Sequence, residues 1–150
     1  MTEGEEGADC VVVRKVIPVP RERAFDAWLD PSSLAQWMKP RAGSTASAEV
    51  DARVGGKFRI VMMHGEGGVE HTGQYLVIER PSRLSFTWIS VNTDHLPTVV
   101  TVEFLQHGNG TELVLTHRRL PPSRVIAHRG GWREIVRNLD AVLTDRLEPT

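Results

Sequence analysis

The sequence predicts an α+β domain: a curved antiparallel sheet of seven strands around a long C-terminal helix, with two short helices after the first strand. Three observations predict it. Six consecutive segments between residues 44 and 118 alternate in strand fashion and are separated by turn residues. Ahead of them, a β-branched run is followed by two short stretches with apolar residues at helical spacing. Behind them, the apolar period changes to that of a helix and stays so for roughly four turns.

Residues 11–19 form the first strand, with Val11, Val13, Lys15, Ile17 and Val19 on one face and Val12, Arg14 and Val16 on the other. Both faces are partly apolar, so the pattern leaves the inward one open. Pro20 suits the first turn of a helix, where a missing N–H is harmless, and Ala24, Phe25, Trp28 and Leu29 supply its apolar stripe. Asp30 and Pro31 then read as cap and first turn of a second helix carrying Leu34, Trp37 and Met38. The meander is expected near 46–50, 57–63, 69–78, 83–89, 98–105 and 111–118. Its separators are Gly55-Gly56, the run Gly65-Glu66-Gly67-Gly68, Pro81-Ser82 and the hairpin signal Asn109-Gly110. After Pro121-Pro122, Ser123 is a candidate cap, and Trp132, Ile135, Val136, Leu139, Val142, Leu143 and Arg146 share one helical face.

A chain of 150 residues fits one domain, read as a tail over 1–9 and a folded unit over 10–150. A formal net charge of −1 lacks the basic excess of a nucleic-acid partner. Cys10 is the only cysteine, which excludes an intrachain disulfide. The acidic, Gly-rich start lacks the apolar core of a signal peptide, and no apolar run reaches the ~20 residues of a membrane span. A cytosolic protein is expected.

A curved sheet has one concave face. Phe58, Ile60 and Met62 share a face, as do Leu84, Phe86 and Trp88, then Val100, Val102 and Phe104, then Leu113 and Leu115. A single helix either interdigitates with such a face completely or leaves space beneath it for a small apolar ligand.

Further residues carry a resemblance. They are Val19-Pro20 with Ala24-Phe25-Asp26-Ala27-Trp28, Asp30-Pro31 with Trp37, and Val54-Gly55-Gly56-Lys57-Phe58. Gly73-Gln74-Tyr75 leads to Pro81, Arg83-Leu84 and Phe86-Thr87-Trp88. Gly110-Thr111-Glu112-Leu113, Thr116-His117 and Gly131-Trp132 with Leu139 complete the set, which spans 11–147 in order. Taken together the chain resembles the family of homologues of the activator of the heat shock protein 90 ATPase. That family sits in the START-like, or SRPBCC, superfamily with its helix-grip arrangement. The resemblance implies a pocket between the C-terminal helix and the concave sheet. Its walls would be Phe58, Ile60, Met62, Tyr75, Trp88, Val102, Trp132, Val136 and Leu139, with Tyr75, His117 and His128 as polar contacts. Gly130-Gly131 would let the helix backbone approach sheet or ligand closely.

The chemistry-bearing residues are few. Of six histidines, no two show the helical His-Glu-x-x-His spacing of a metal site, so neither metal nor cofactor is expected. His64 and His71 flank a Gly-rich turn and read as an exposed cross-strand pair; His95 and His107 lie in loops. His117 continues the inward parity of Leu113 and Leu115, and His128 precedes Trp132 by four residues. Two imidazoles there could orient a ligand or move a proton, or simply bond backbone. Gly65-x-Gly67-Gly68 precedes no helix and reads as a turn, not a nucleotide loop. Serine-nucleophile motifs and paired catalytic carboxylates are absent, so no catalytic residue is assigned.

Three functions follow: binding of a small hydrophobic molecule, a co-chaperone-like module stimulating a chaperone ATPase, or a cyclase or dehydratase acting on a polyketide-like ligand. The first leads. The co-chaperones that name the family carry an additional N-terminal domain, for which 150 residues leave no room. A monomer or homodimer is expected.

Overall fold

In strand alternation, each buried side chain is flanked by two that face water, and this pattern decides the sheet. The computed structural model describes residues 9–39 and 44–145. The strands are β1 (Val11–Ile17), β2 (Thr45–Val50), β3 (Lys57–His64), β4 (Gly67–Glu79), β5 (Arg83–Trp88), β6 (Thr98–His107) and β7 (Gly110–Arg118). They form one antiparallel sheet in the order β1-β7-β6-β5-β4-β3-β2. The expected tail lies outside the described residues except for Asp9, whose carbonyl accepts from the Leu120 N–H at 3.0 Å. Arg146, the last member of the expected helical stripe, also lies outside them.

The face that the pattern left open in β1 is now fixed: Val11, Val13 and Ile17 are buried and Val16 is exposed. Pro18 has no N–H to continue the ladder, so pairing stops at Ile17. Helix α1 (Arg21–Asp26) follows, then α2 (Pro31–Trp37). Asp30 caps α2 by accepting from the Ser32 N–H at 3.2 Å, and Pro31 occupies its first turn. Phe25 seals α1 against β6 through an edge contact with Phe104 at 5.2 Å.

Two turns differ from expectation. The β6–β7 loop is Gly108-Asn109, because His107 pairs with Gly110. Positive φ falls on Gly108, at 58°, and not on Asn109, as in a type II′ turn. Ser123 does not cap the last helix. It lies within a 3-10 turn (Pro122–Arg124), and α3 (Val125–Thr144) begins after it with Arg124 at the N-cap position making no side-chain cap bond. Two prolines favour the tighter turn, since they remove donors from the first winding.

The sheet curls where β4 hands over from β3 to β5. A register shift lies between Tyr75 and Val77, and such bulges bend a strand. Nearby, Gly73 lets two elements close on it: a Cβ there would sit 2.0 Å from the Thr87 carbonyl oxygen and 2.4 Å from the Phe58 ring. The concave face is thus lined by Phe58, Ile60, Tyr75, Phe86, Val100, Val102 and Leu115, all buried. Helix α3 lays Trp132, Ile135, Val136, Leu139 and Leu143 onto it. Asn138 Nδ2 ties α3 to the end of α2 by donating to the Lys39 carbonyl at 2.7 Å.

Candidate ligand-binding site

The helices pack closely on the sheet except at one end. Where the short helices pack on the sheet, Trp28, Leu34 and Met38 with Phe58, Ile60, Tyr75, Phe86 and Trp88 enclose a void of only about 10 Å³, too small for more than one water. At the open end, a cleft of about 920 Å³ opens between the first half of α3 and the β3–β4 hairpin, a volume within the range of small-molecule sites.

The floor of this cleft is aromatic. Trp88 from β5 and Trp132 from α3 are both buried, with ring centroids 5.1 Å apart. Met62 and Val69 line the sheet side, and Ile126, Gly130 and Gly131 line the helix side. The two glycines do not bring the helix close to anything. A Cβ on either would find no atom within 4 Å, so the expectation of a close backbone approach to the sheet is corrected: they leave space. The reason is register on α3, where Trp132 and Ile135 turn toward the sheet and residues 130 and 131 face the opening.

His117 sits one layer behind this floor, fully buried. The indole Nε1–H of Trp132 donates to His117 Nδ1 at 2.9 Å. Nδ1 is therefore the unprotonated nitrogen, and Nε2–H donates to Thr98 Oγ1 at 2.7 Å. Thr98 passes its own proton to the Trp88 carbonyl at 2.6 Å. Every polar atom of this chain has its partner, and the chain links the two floor tryptophans through a neutral ring. Burial, with His128 nearby as a smaller cause, drives the His117 pKa well below the usual histidine value.

His128 does line the cleft. Its Nδ1–H donates to the Arg124 carbonyl one turn earlier at 2.9 Å, and its ring meets His117 edge-on at 5.1 Å. Burial lowers its pKa, with the Arg124 charge adding to the effect and the Arg124 carbonyl opposing it.

His71 is the residue that sequence reasoning missed. The reading of His64 and His71 as an exposed cross-strand pair is corrected: His64 is exposed and opposite Gly67, whereas His71 is buried and opposite Ile60. Its ring lies against Trp88 at 4.6 Å and 31°. Nδ1 has no hydrogen-bond partner; the Ile60 and Val69 carbonyls nearby only partly offset the desolvation that lowers its pKa to about 4. The signal was parity, since His71 is two steps from Gly73 and four from the inward Tyr75 on one strand.

Of the eleven residues expected at the site, Met62, Trp88, His128 and Trp132 line the cleft. Phe58, Ile60 and Tyr75 surround the small void instead. Val102, Val136 and Leu139 are buried in the core and line neither space, and His117 supports Trp132 from behind. Tyr75 packs between Phe58 at 5.4 Å and Phe86 at 6.2 Å, and burial raises its hydroxyl pKa. Among the described residues no cluster of three or more metal-ligating side chains occurs. No described helix is long and apolar enough to cross a membrane.

The fold is shared widely among solved structures. A Rhodobacter sphaeroides protein superposes with a TM-score of 0.82 at 26% identity, covering 95% of this chain and 97% of its own. An AHSA1-like protein from Aeromonas hydrophila gives 0.76 at 26% identity over 87% and 89% of the two chains. An HSP90 activator from Plasmodium falciparum gives 0.72 at 26% identity over 90% and 96%. No curated protein sequence matches significantly. The model of the Activator of Hsp90 ATPase homolog 1-like protein family matches residues 18–144. The chain belongs to that family.

Proposed function

We propose that the protein binds a small apolar molecule in the cleft between the first half of α3 and the β3–β4 hairpin. One observation carries this reading. Two successive glycines stand inside a helix, where each is about 1 kcal/mol worse than alanine, and no neighbour requires them. What they preserve is open space above an indole floor. The core residues Phe58, Ile60, Tyr75, Val102, Val136 and Leu139 then act as the rigid backing of the site, and His117 fixes the floor. The test is a fluorescent apolar probe titrated against the wild type and Gly131→Leu. The wild type should bind one equivalent and transfer excitation from Trp88 and Trp132. Gly131→Leu should fold normally and lose the probe; unchanged binding by this variant would remove the cleft from consideration.

A second reading, a module that stimulates an HSP90-type chaperone ATPase, is supported by the similarity to the Plasmodium falciparum activator. ATPase stimulation by wild-type protein that survives in Gly131→Leu would place that activity on the outer surface and not in the cleft.

A further inference from the structure

We propose that the cleft takes an uncharged, flat, apolar molecule bearing a hydroxyl, whose O–H is accepted by Nε2 of His128. This rests on the ligand-binding reading of the cleft and adds the chemical class.

The charges at the cleft are already engaged. Arg124 donates to Asp94 Oδ1 through Nε at 3.1 Å and Nη2 at 2.8 Å, and Nη2 also reaches the Val91 carbonyl at 3.4 Å. Glu134 accepts from Arg137 Nη1 at 3.1 Å. A carboxylate or phosphate ligand would have to share Arg124 with Asp94, and a cationic ligand would have to share Glu134 with Arg137. Either charge sign meets a side chain whose charge is already paired, which disfavours fatty acids and amines alike.

An imidazole nitrogen adds an uncharged acceptor to the cleft. A carbonyl can only accept, so the bond from His128 to the Arg124 carbonyl fixes the proton on Nδ1. Nε2 is left with a lone pair and no partner among the described residues, at a ring that lines the cleft. It is an acceptor and asks for a donor, which a hydroxyl supplies without charge. Burial holds the ring neutral at pH 7, in keeping with that role. The opposite wall adds the buried ring of His71, stacked on Trp88 with centroids 4.6 Å apart. Between these two rings lie the indoles of Trp88 and Trp132. They suit a flat π-system, and the absence of side chains at Gly130 and Gly131 leaves room for one several rings wide.

Three pyrenes distinguish the possibilities at pH 7: 1-hydroxypyrene, 1-methoxypyrene and pyrene-1-carboxylate, each followed by energy transfer from tryptophan. The hydroxyl compound should bind about fivefold tighter than the methyl ether, the ratio one net hydrogen bond gives, and at least about tenfold tighter than the carboxylate. His128→Phe should bind ether and alcohol equally. Asp94→Asn keeps a residue tolerant of the left-handed backbone at that position (φ 56°). By freeing Arg124 it should strengthen carboxylate binding severalfold. An ether that binds wild type as tightly as the alcohol, a carboxylate that binds tightest, or an alcohol preference that survives His128→Phe would overturn the proposal while leaving the cleft a ligand site. Failure of all three compounds to bind would instead overturn the ligand-binding reading itself.

Discussion

Trp132 and His117 are joined by a buried hydrogen bond, indole Nε1–H to imidazole Nδ1 at 2.9 Å, between the long helix α3 and strand β7. This bond makes His117 a structural acceptor. A proton arriving on Nδ1 would take the lone pair that holds the indole, so the cleft floor depends on this histidine staying neutral.

Removing either partner strands the other in a dry site. His117→Phe leaves the Trp132 N–H and the Thr98 hydroxyl without it and should cost about 2–4 kcal/mol. Trp132→Phe should cost about 1–3 kcal/mol. The double variant should lose less than the sum, by about 0.5–3 kcal/mol of coupling. Urea denaturation of the three variants measures this; strict additivity would show that the bond contributes nothing of its own.

The histidines set a pH dependence whose sign follows from their shifts. All three are held below the ordinary value of 6.5 in the folded protein, His71 to about 4. Below 6.5 the unfolded chain binds protons that the folded state refuses. Stability is therefore complete above about pH 6.5 and falls as pH drops from there toward 4. For His71 alone the loss is roughly 3 kcal/mol once pH is below 4. His71→Phe should flatten the pH profile of the denaturation midpoint over that window. An unchanged slope would mean that His71 titrates normally.

The helix glycines and the strand glycine should respond in opposite directions to alanine. Gly130→Ala and Gly131→Ala each meet open space and should stabilise by about 0.5–1 kcal/mol through helix propensity alone. Gly73→Ala drives a methyl into the Thr87 backbone oxygen and should destabilise by about 3 kcal/mol or more. Thermal melts would sort them, and a destabilising Gly131→Ala would show that α3 is not open there.

Leu139 offers a contrast to the cleft. It is fully buried in the packed region and has no space to grow into. Leu139→Trp should overpack the core and cost about 1–3 kcal/mol, whereas Gly131→Leu should leave the denaturation midpoint at or above that of the wild type. Equal tolerance of both changes would mean that the core beneath α3 is loose.

The elements, their order and most of their inward faces are legible in the residue pattern alone. Alternation and helical spacing are local, and so Phe86, Trp88, Leu115, His117 and Trp132 could be assigned inward from their neighbours alone. Parity also held the answer for His71, but the turn beside it suggested a partner in His64 that the register does not supply. Where helix and sheet part is set by packing in three dimensions. That depends on the curl at Gly73 and Tyr75, on the height at which Trp132 rests on Trp88, and on the tie from Asn138 to Lys39. Each joins residues far apart in the chain, and the volume left over is a small difference between large packed surfaces. No local pattern encodes it. Phe58 and Val136 therefore carry the same apolar signature as Met62 and Trp132, although the first two are buried away from the cleft and the last two line it.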